Sequence, residues 1–235
     1  MAHVSAALIL ALDVPTSAEA LALVDQFEGR CTFYKVGLEL FTAAGPTLVA
    51  ELRRRGAEVF LDLKLHDIPN TVRQAARRAA AHDVRLLTVH ASGGEAMLAA
   101  AVDGAGDTCG ILGVTVLTSL AADELAAAWG RGPWLDVQAE VLRLAGLADS
   151  AGAHGIVCSG AELPAVVERF RGRLAPLVPG LRPAGAPSHD QARIVTPETA
   201  ARQGARYLIL GRAVTAAPAP LLAWDAIAAA VAQVG

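Results

Sequence analysis

The chain has 235 residues, 54% hydrophobic and 18% charged, and its 20 Lys+Arg against 23 Asp+Glu leave a formal net charge of −3. That length holds one large domain or two small ones. The hydrophobic content excludes a disordered chain, and the charge balance supplies no broad positive field for nucleic acid.

No apolar run approaches the ~18 residues that cross a bilayer, so no membrane partner is expected. The apolar stretch 6–12 has no basic residue before it and is closed by Asp13, unlike a secretory signal. Cys31, Cys109 and Cys158 are far apart with no CxxC spacing. They read as small buried thiols of a reducing cytoplasm, not as a disulfide framework or a zinc site.

Along the chain, short β-rich runs alternate with longer alanine-rich segments. The predicted strands are Leu8–Leu12, Thr32–Val36, Glu58–Leu63, Arg85–Val89, Ile111–Leu117, Gly155–Val157, Leu174–Val178 and Tyr207–Leu210. The predicted helices are Ser17–Glu28, Leu40–Arg55, Thr71–His82, Gly94–Val102, Leu135–Ala148, Ala161–Phe170, Thr196–Gln203 and Leu221–Val234, with the whole stretch Leu125–Ala148 reading as close-packed helix. Ser17 ahead of Glu19, and Thr196-Pro-Glu198, are helix-start signals. Alternating strands and helices imply a parallel sheet, because each crossover needs room for a helix. Eight such units predict an α/β fold of the closed (β/α)8 barrel type, one domain over residues 1–235, with an open doubly wound sheet as the alternative.

Chemistry on such barrels gathers where strands run out into the loops that lead to helices. Polar residues at those ends are therefore the site candidates: Asp13, Lys35, Asp62, Lys64, His90, Thr118, Arg182 and Gly211-Arg212. Asp62 and Lys64 are two apart, so on a strand they share a face while Leu61, Leu63 and Leu65 take the other. A carboxylate and an ammonium thus face inward together, with Lys35, Asp67 and Asp13 expected on the same rim. A structural ion pair closing the barrel end remains open as a reading, since such pairs also perturb titration. A Schiff-base lysine fits less well: neighbouring carboxylates favour the ammonium, which suits a proton donor.

Pro179-Gly-Leu-Arg-Pro183, Asp190-Gln-Ala-Arg193 and Gly211-Arg212 form a second group, after the seventh and eighth strands, where barrels often bind phosphate. Gly211 lets a backbone N–H approach an anion, Arg212 offers a bidentate guanidinium and Gln191 a neutral amide. Gly-Arg alone is a weak signal, and Arg182 could instead cap a helix. Residues 184–188 have the small-residue composition of a mobile lid. His66 reads as orienting or underpacking its loop, His90 as a structural donor, and Arg53-Arg54-Arg55 as a solvated helix terminus.

Taken in order, Ala11-Leu-Asp-Val-Pro15, Tyr34-Lys-Val-Gly37, Asp62-Leu-Lys-Leu-His-Asp-Ile-Pro-Asn-Thr71, Val89-His-Ala-Ser-Gly-Gly94, Leu117-Thr-Ser119, Pro179-Gly-Leu-Arg182, Asp190-Gln191 and Gly211-Arg212 resemble the orotidine 5′-phosphate decarboxylase family. The resemblance runs from about residue 8 to 216, and its DxKxxD segment with the following IPNT is its most specific part. It implies decarboxylation of orotidine 5′-monophosphate to UMP, without metal or organic cofactor, by a homodimer whose sites lie near the interface. Lys64 would then donate the proton, and Lys35, Asp62 and Asp67 would complete an alternating charged array. Asp67, Ile68 and Thr71 would come from the partner subunit. Asp13 and Lys35 would contact the ribose, Thr118 the base, and Gln191, Gly211 and Arg212 the phosphate region, with Arg182 at a further binding position. The family often has Pro-Ile where this chain has Ala213-Val214, isoleucine at Leu181 and an acidic residue at Ala219. A magnesium-dependent sugar-phosphate decarboxylase or aldolase-like synthase shares DxKxxD, but usually carries an acidic residue at the position of Lys35. A barrel that merely binds a phosphorylated ligand is the non-enzymatic alternative.

Overall fold

The structure, a computed structural model, describes residues 6–132, 135–182 and 195–234. Eight parallel strands close into a barrel in sequence order: β1 (Ala7–Ala11), β2 (Phe33–Gly37), β3 (Glu58–Leu65), β4 (Leu86–His90), β5 (Gly110–Val114), β6 (Gly155–Val157), β7 (Ala175–Val178) and β8 (Tyr207–Leu210). Pairing of β1 with β8 completes the ring and excludes the open sheet. Helices α1 (Ser17–Gln26), α2 (Leu38–Arg54), α3 (Pro69–Ala81), α4 (Glu95–Ala105), α5 (Ala122–Ala128), α6 (Val137–Ser150), α7 (Leu163–Phe170), α8 (Pro197–Arg202), α9 (Arg212–Thr215) and α10 (Pro220–Ala232) fill the connections and the end of the chain.

Strand parity divides the apolar residues into two cores, because successive side chains point to opposite faces. Ile9, Phe33, Phe60, Leu86, Leu112, Leu177, Tyr207 and Ile209 fill the barrel interior. Leu10, Tyr34, Leu61, Leu87 and Leu208, one residue out of step, pack outward beneath the helices. Burying a side chain such as Phe60, 1% exposed, contributes about 1.5–3 kcal/mol.

Three departures from the sequence reading have local causes. The stretch Leu125–Ala148 is not one helix: α5 ends before Gly130, whose φ of +62° no helix accommodates, and α6 starts afresh under Asp136, whose carboxylate accepts from the Ala139 N–H at 3.1 Å. Within α2, Gly45 (φ +60°, ψ −160°) makes a kink ahead of Pro46, a residue that disfavours helical backbone just before it. The first helix is capped by Thr16 rather than Ser17, its hydroxyl accepting from the Glu19 N–H. Thr196 and Pro197 start α8 as the sequence suggests.

The three cysteines are buried and in no disulfide, and burial pushes the Cys31 and Cys109 thiols up to about 11, which disfavours their thiolates. Arg53, Arg54 and Arg55 pair with Asp83, Glu51 and Asp25, which neutralises the run; the two guanidiniums on Glu51 hold its carboxyl down at about 2. Among the described residues, no helix is long and apolar enough to cross a membrane.

Candidate active site

The inward parity that fills the barrel with Ile9, Phe33 and Phe60 continues one step further along each strand, where it delivers polar groups. Position 13 follows Ile9 and Ala11, Lys35 follows Phe33, and Asp62 follows Phe60. Their registers align: Ala11 pairs with Lys35, Lys35 with Phe60, and Gly37 with Asp62. The result is a cavity of about 260 Å³ at the C-terminal mouth, floored by Phe60 and Ile209. Asp13, Lys35, Asp62 and Lys64 line it, as do Thr118, Arg182, Gly211 and Arg212.

The charges alternate along one wall. Lys35 Nζ lies 2.7 Å from Asp13 Oδ1 and 4.0 Å from Asp62 Oδ2. Lys64 Nζ donates to Asp62 Oδ1 at 2.8 Å. Side-chain exposure falls from 57% at Asp13 to 18% at Asp62 and 11% at Lys35, so the middle of the row is the most desolvated part. A charge placed there needs a partner, since an unpaired one costs several kcal/mol. Gly37 keeps the row open: a Cβ on it would sit 3.1 Å from the Lys35 ammonium.

Lys64 itself has φ +49°, rare for a residue with a Cβ. The cause lies in β3–β4 pairing. Leu61 pairs with Leu87 but Leu65 pairs with Val89, so β3 spends four residues where β4 spends two. The excess is taken up around Lys64, whose N–H donates to the Thr88 hydroxyl at 2.9 Å. That hydroxyl also donates to Asp62 Oδ1 at 3.0 Å. Sequence reasoning passed over Thr88, yet its parity with Leu86 and His90 in Leu-Leu-Thr-Val-His marks it as inward-facing.

His90, next inward on β4, packs its ring 5.6 Å from that of His66. Burial, then the nearby His66 and Lys64, lower its pKa despite Asp62, which favours the neutral imidazole. Among the described residues, no group of three His, Cys, Asp or Glu side chains is placed to hold a metal ion.

Across the cavity, Arg182 is 6% exposed; its Nη1 donates to the Leu181 carbonyl at 2.9 Å, and among the described residues its buried Nε has no hydrogen-bond partner. Among the described helices, none has Arg182 as its cap residue. Gly211 precedes the short α9, of which Arg212 is the first residue. A Cβ on Gly211 would make only ordinary contacts with Asp13 and Ala11. Gln191 and the lid-like stretch 184–188 lie outside the described residues.

One expectation needs correction. Asp67 does not converge with Asp13 and Lys35 on the rim of its own barrel. Once β3 ends at Leu65 the strand parity ends too, and the chain turns outward. Asp67, Ile68 and Thr71 are exposed and contribute nothing to this cavity. Asp67 Oδ1 accepts the Ile68 N–H at 2.6 Å, and Ile68 is 66% exposed.

The sequence model of the "Orotidine 5'-phosphate decarboxylase / HUMPS family" matches residues 6–227. A protein of Halorhodospira halophila named orotidine 5′-phosphate decarboxylase is 49% identical over 231 residues, covering 97% of both chains. One of the same name from Anaeromyxobacter sp. is 52% identical over 223 residues, 93% of this chain and 95% of that one. The crystal structure of orotidine 5′-phosphate decarboxylase from Lactobacillus acidophilus superposes with a TM-score of 0.84 at 34% identity, covering 97% of this chain and 99% of that chain.

Proposed function

The chain belongs to the orotidine 5′-phosphate decarboxylase / HUMPS family, and from that premise we propose that its cavity removes CO2 from orotidine 5′-monophosphate to give UMP, with Lys64 as proton donor and no cofactor. The enzyme is a carbon–carbon lyase of pyrimidine biosynthesis. The observation that carries the residue assignments is the alternating row Asp13–Lys35–Asp62–Lys64 on one wall of the cavity.

Breaking the bond to CO2 leaves an electron pair in the plane of the pyrimidine ring, where the π-system cannot spread it. Stabilisation must therefore come from a fixed positive charge nearby. The Lys64 ammonium, already oriented by Asp62, meets that pair without reorganising and then gives it a proton; the amine left behind recovers one from solvent. Asp62 beside the substrate carboxylate sets two like charges close together, a repulsion relieved as the carboxylate leaves as neutral CO2. Asp13 and Lys35 hold the ribose, Thr118 the base, and Gly211, Arg212 and Gln191 the phosphate region, with Arg182 at a further contact. Binding the remote phosphate aligns the ring over Lys64.

The magnesium-dependent alternative is not favoured. The carboxylates that would take a divalent cation already carry ammonium partners, Lys35 on Asp13 and Lys64 on Asp62. The test is direct: purified protein is expected to bleach the absorbance of orotidine 5′-monophosphate at one rate with and without chelator. Activity that vanishes with chelator and returns with magnesium would overturn this reading.

Arg212→Ala is expected to weaken UMP binding about 10–100-fold, the equivalent of one charge-assisted hydrogen bond of about 1.5–3 kcal/mol. Calorimetric titration measures it, and an unchanged affinity takes Arg212 out of the phosphate site.

The protein is proposed to act as a cytoplasmic homodimer in which Asp67, Ile68 and Thr71 of each chain complete the partner's cavity. The exposure of the apolar Ile68 beside Asp67 supports this, as do the buried thiols for the compartment.

A further inference from the structure

We propose that Thr88 is a positioning residue for the reaction, its hydroxyl locking both the backbone and the ammonium of Lys64 into the geometry that proton delivery needs. The proposal rests on Lys64 being the donor.

Three hydrogen bonds form a closed ring. The Lys64 N–H donates to Thr88 Oγ1, Thr88 Oγ1 donates to Asp62 Oδ1, and Lys64 Nζ donates to that same Oδ1. The directions are forced. A hydroxyl has one hydrogen; having accepted from the peptide N–H it has only its own proton to give, and an ionised carboxylate can only accept. Thr88 is 0% exposed, so no bulk water can take over either bond. Its β-branched side chain restricts χ1, which limits the positions open to the hydroxyl.

The ring answers a specific problem. The register break between β3 and β4 leaves the Lys64 N–H without a ladder carbonyl and forces φ to +49°. An L-residue keeps that conformation only when its surroundings over-determine it. Thr88, directly across the break, supplies the missing acceptor through its side chain. Because the same atom holds Asp62, the strained backbone and the carboxylate that aims the ammonium cannot shift independently.

The test is Thr88→Val, which keeps volume and branching and deletes the hydroxyl, set beside Thr88→Ser, which keeps the hydroxyl and deletes the methyl. Wild-type enzyme and Lys64→Ala are assayed alongside with orotidine 5′-monophosphate. Thr88→Val is expected to lose about 100-fold in kcat, the scale of a misplacement near 1 Å, with no rise in KM; Thr88→Ser is expected to retain most of kcat. A role in packing alone predicts the reverse order, with serine the worse variant. Comparable kcat for Thr88→Val and wild type, or an equal loss in both variants, overturns the proposal. If valine prevents folding, judged by circular dichroism, Thr88→Cys takes its place, since a thiol of similar size is a poor donor and acceptor; it is expected to lose kcat as valine would, and wild-type kcat in it overturns the proposal. Absence of turnover in the wild type refutes the decarboxylase reading itself, whereas normal wild-type turnover with an active Thr88→Val variant refutes the role of Thr88 alone.

Discussion

Lys64→Ala is expected to lose at least about 10⁴-fold in turnover while the barrel stays folded. Two separate contributions disappear with the side chain. A preorganised donor aimed at developing negative charge is worth about 10²–10³ in rate. A positioned proton donor adds about 10²–10⁴. Both come from one ammonium, and alanine can supply neither. Folding should survive because Asp62 is not orphaned: Thr88 still donates to Oδ1, and the Lys35 ammonium stands 4.0 Å from Oδ2. Deleting one partly exposed ion pair costs on the order of 1 kcal/mol. Absorbance decay of orotidine 5′-monophosphate measures the rate and circular dichroism melting checks the fold. Turnover near wild type in a folded variant would refute the donor assignment, and with it the mechanism.

The residues that make this expectation possible were legible to different degrees. Strand parity alone places Asp62 over Phe60 and Lys35 over Phe33, because the apolar residues beneath them declare which face is inward. The eight-unit alternation declares the closed barrel. The backbone of Lys64 was not legible, since Leu-Lys-Leu contains no glycine or asparagine to announce positive φ. It arises from pairing with β4, a contact 24 residues distant in the chain. Thr88 was missed for a related reason: it stands two residues before the strand end, where only the last polar residue attracts attention. Composition misled at Leu125–Ala148, where an alanine-rich stretch hides the turn at Gly130 and the fresh cap at Asp136. The outward turn after Leu65 defeats any parity argument, because alternation carries no information once the strand has stopped.

That outward turn leads to the prediction with the sharpest geometric content. Mixed dimers of Lys64→Ala and Asp67→Ala chains, purified away from the parent dimers, are expected to recover about half of wild-type activity (about a quarter in the unpurified mixture), although each variant alone is nearly inactive. In the proposed two-fold dimer each site would use the barrel of one chain and the Asp67 segment of the other. Pairing the two variants gives one site lacking both residues and one lacking neither: the Asp67→Ala barrel keeps Lys64 and receives an intact Asp67 from its partner. Random exchange makes half the dimers mixed, with one of their two sites whole. If Asp67 served its own barrel, every site in every mixed dimer would lack one residue and nothing would return. The exposure of Asp67 and its absence from the cavity of its own chain favour the first outcome. The recovery also separates chemistry from local damage, because the Asp67→Ala loop, whatever it loses when Ile68 N–H forfeits its acceptor, belongs to the site already dead. Chains carrying different affinity tags, mixed under conditions that permit exchange and purified through both tags, give mixed dimers for the assay. Inactive mixed dimers that have demonstrably exchanged would show that the site is not shared between subunits.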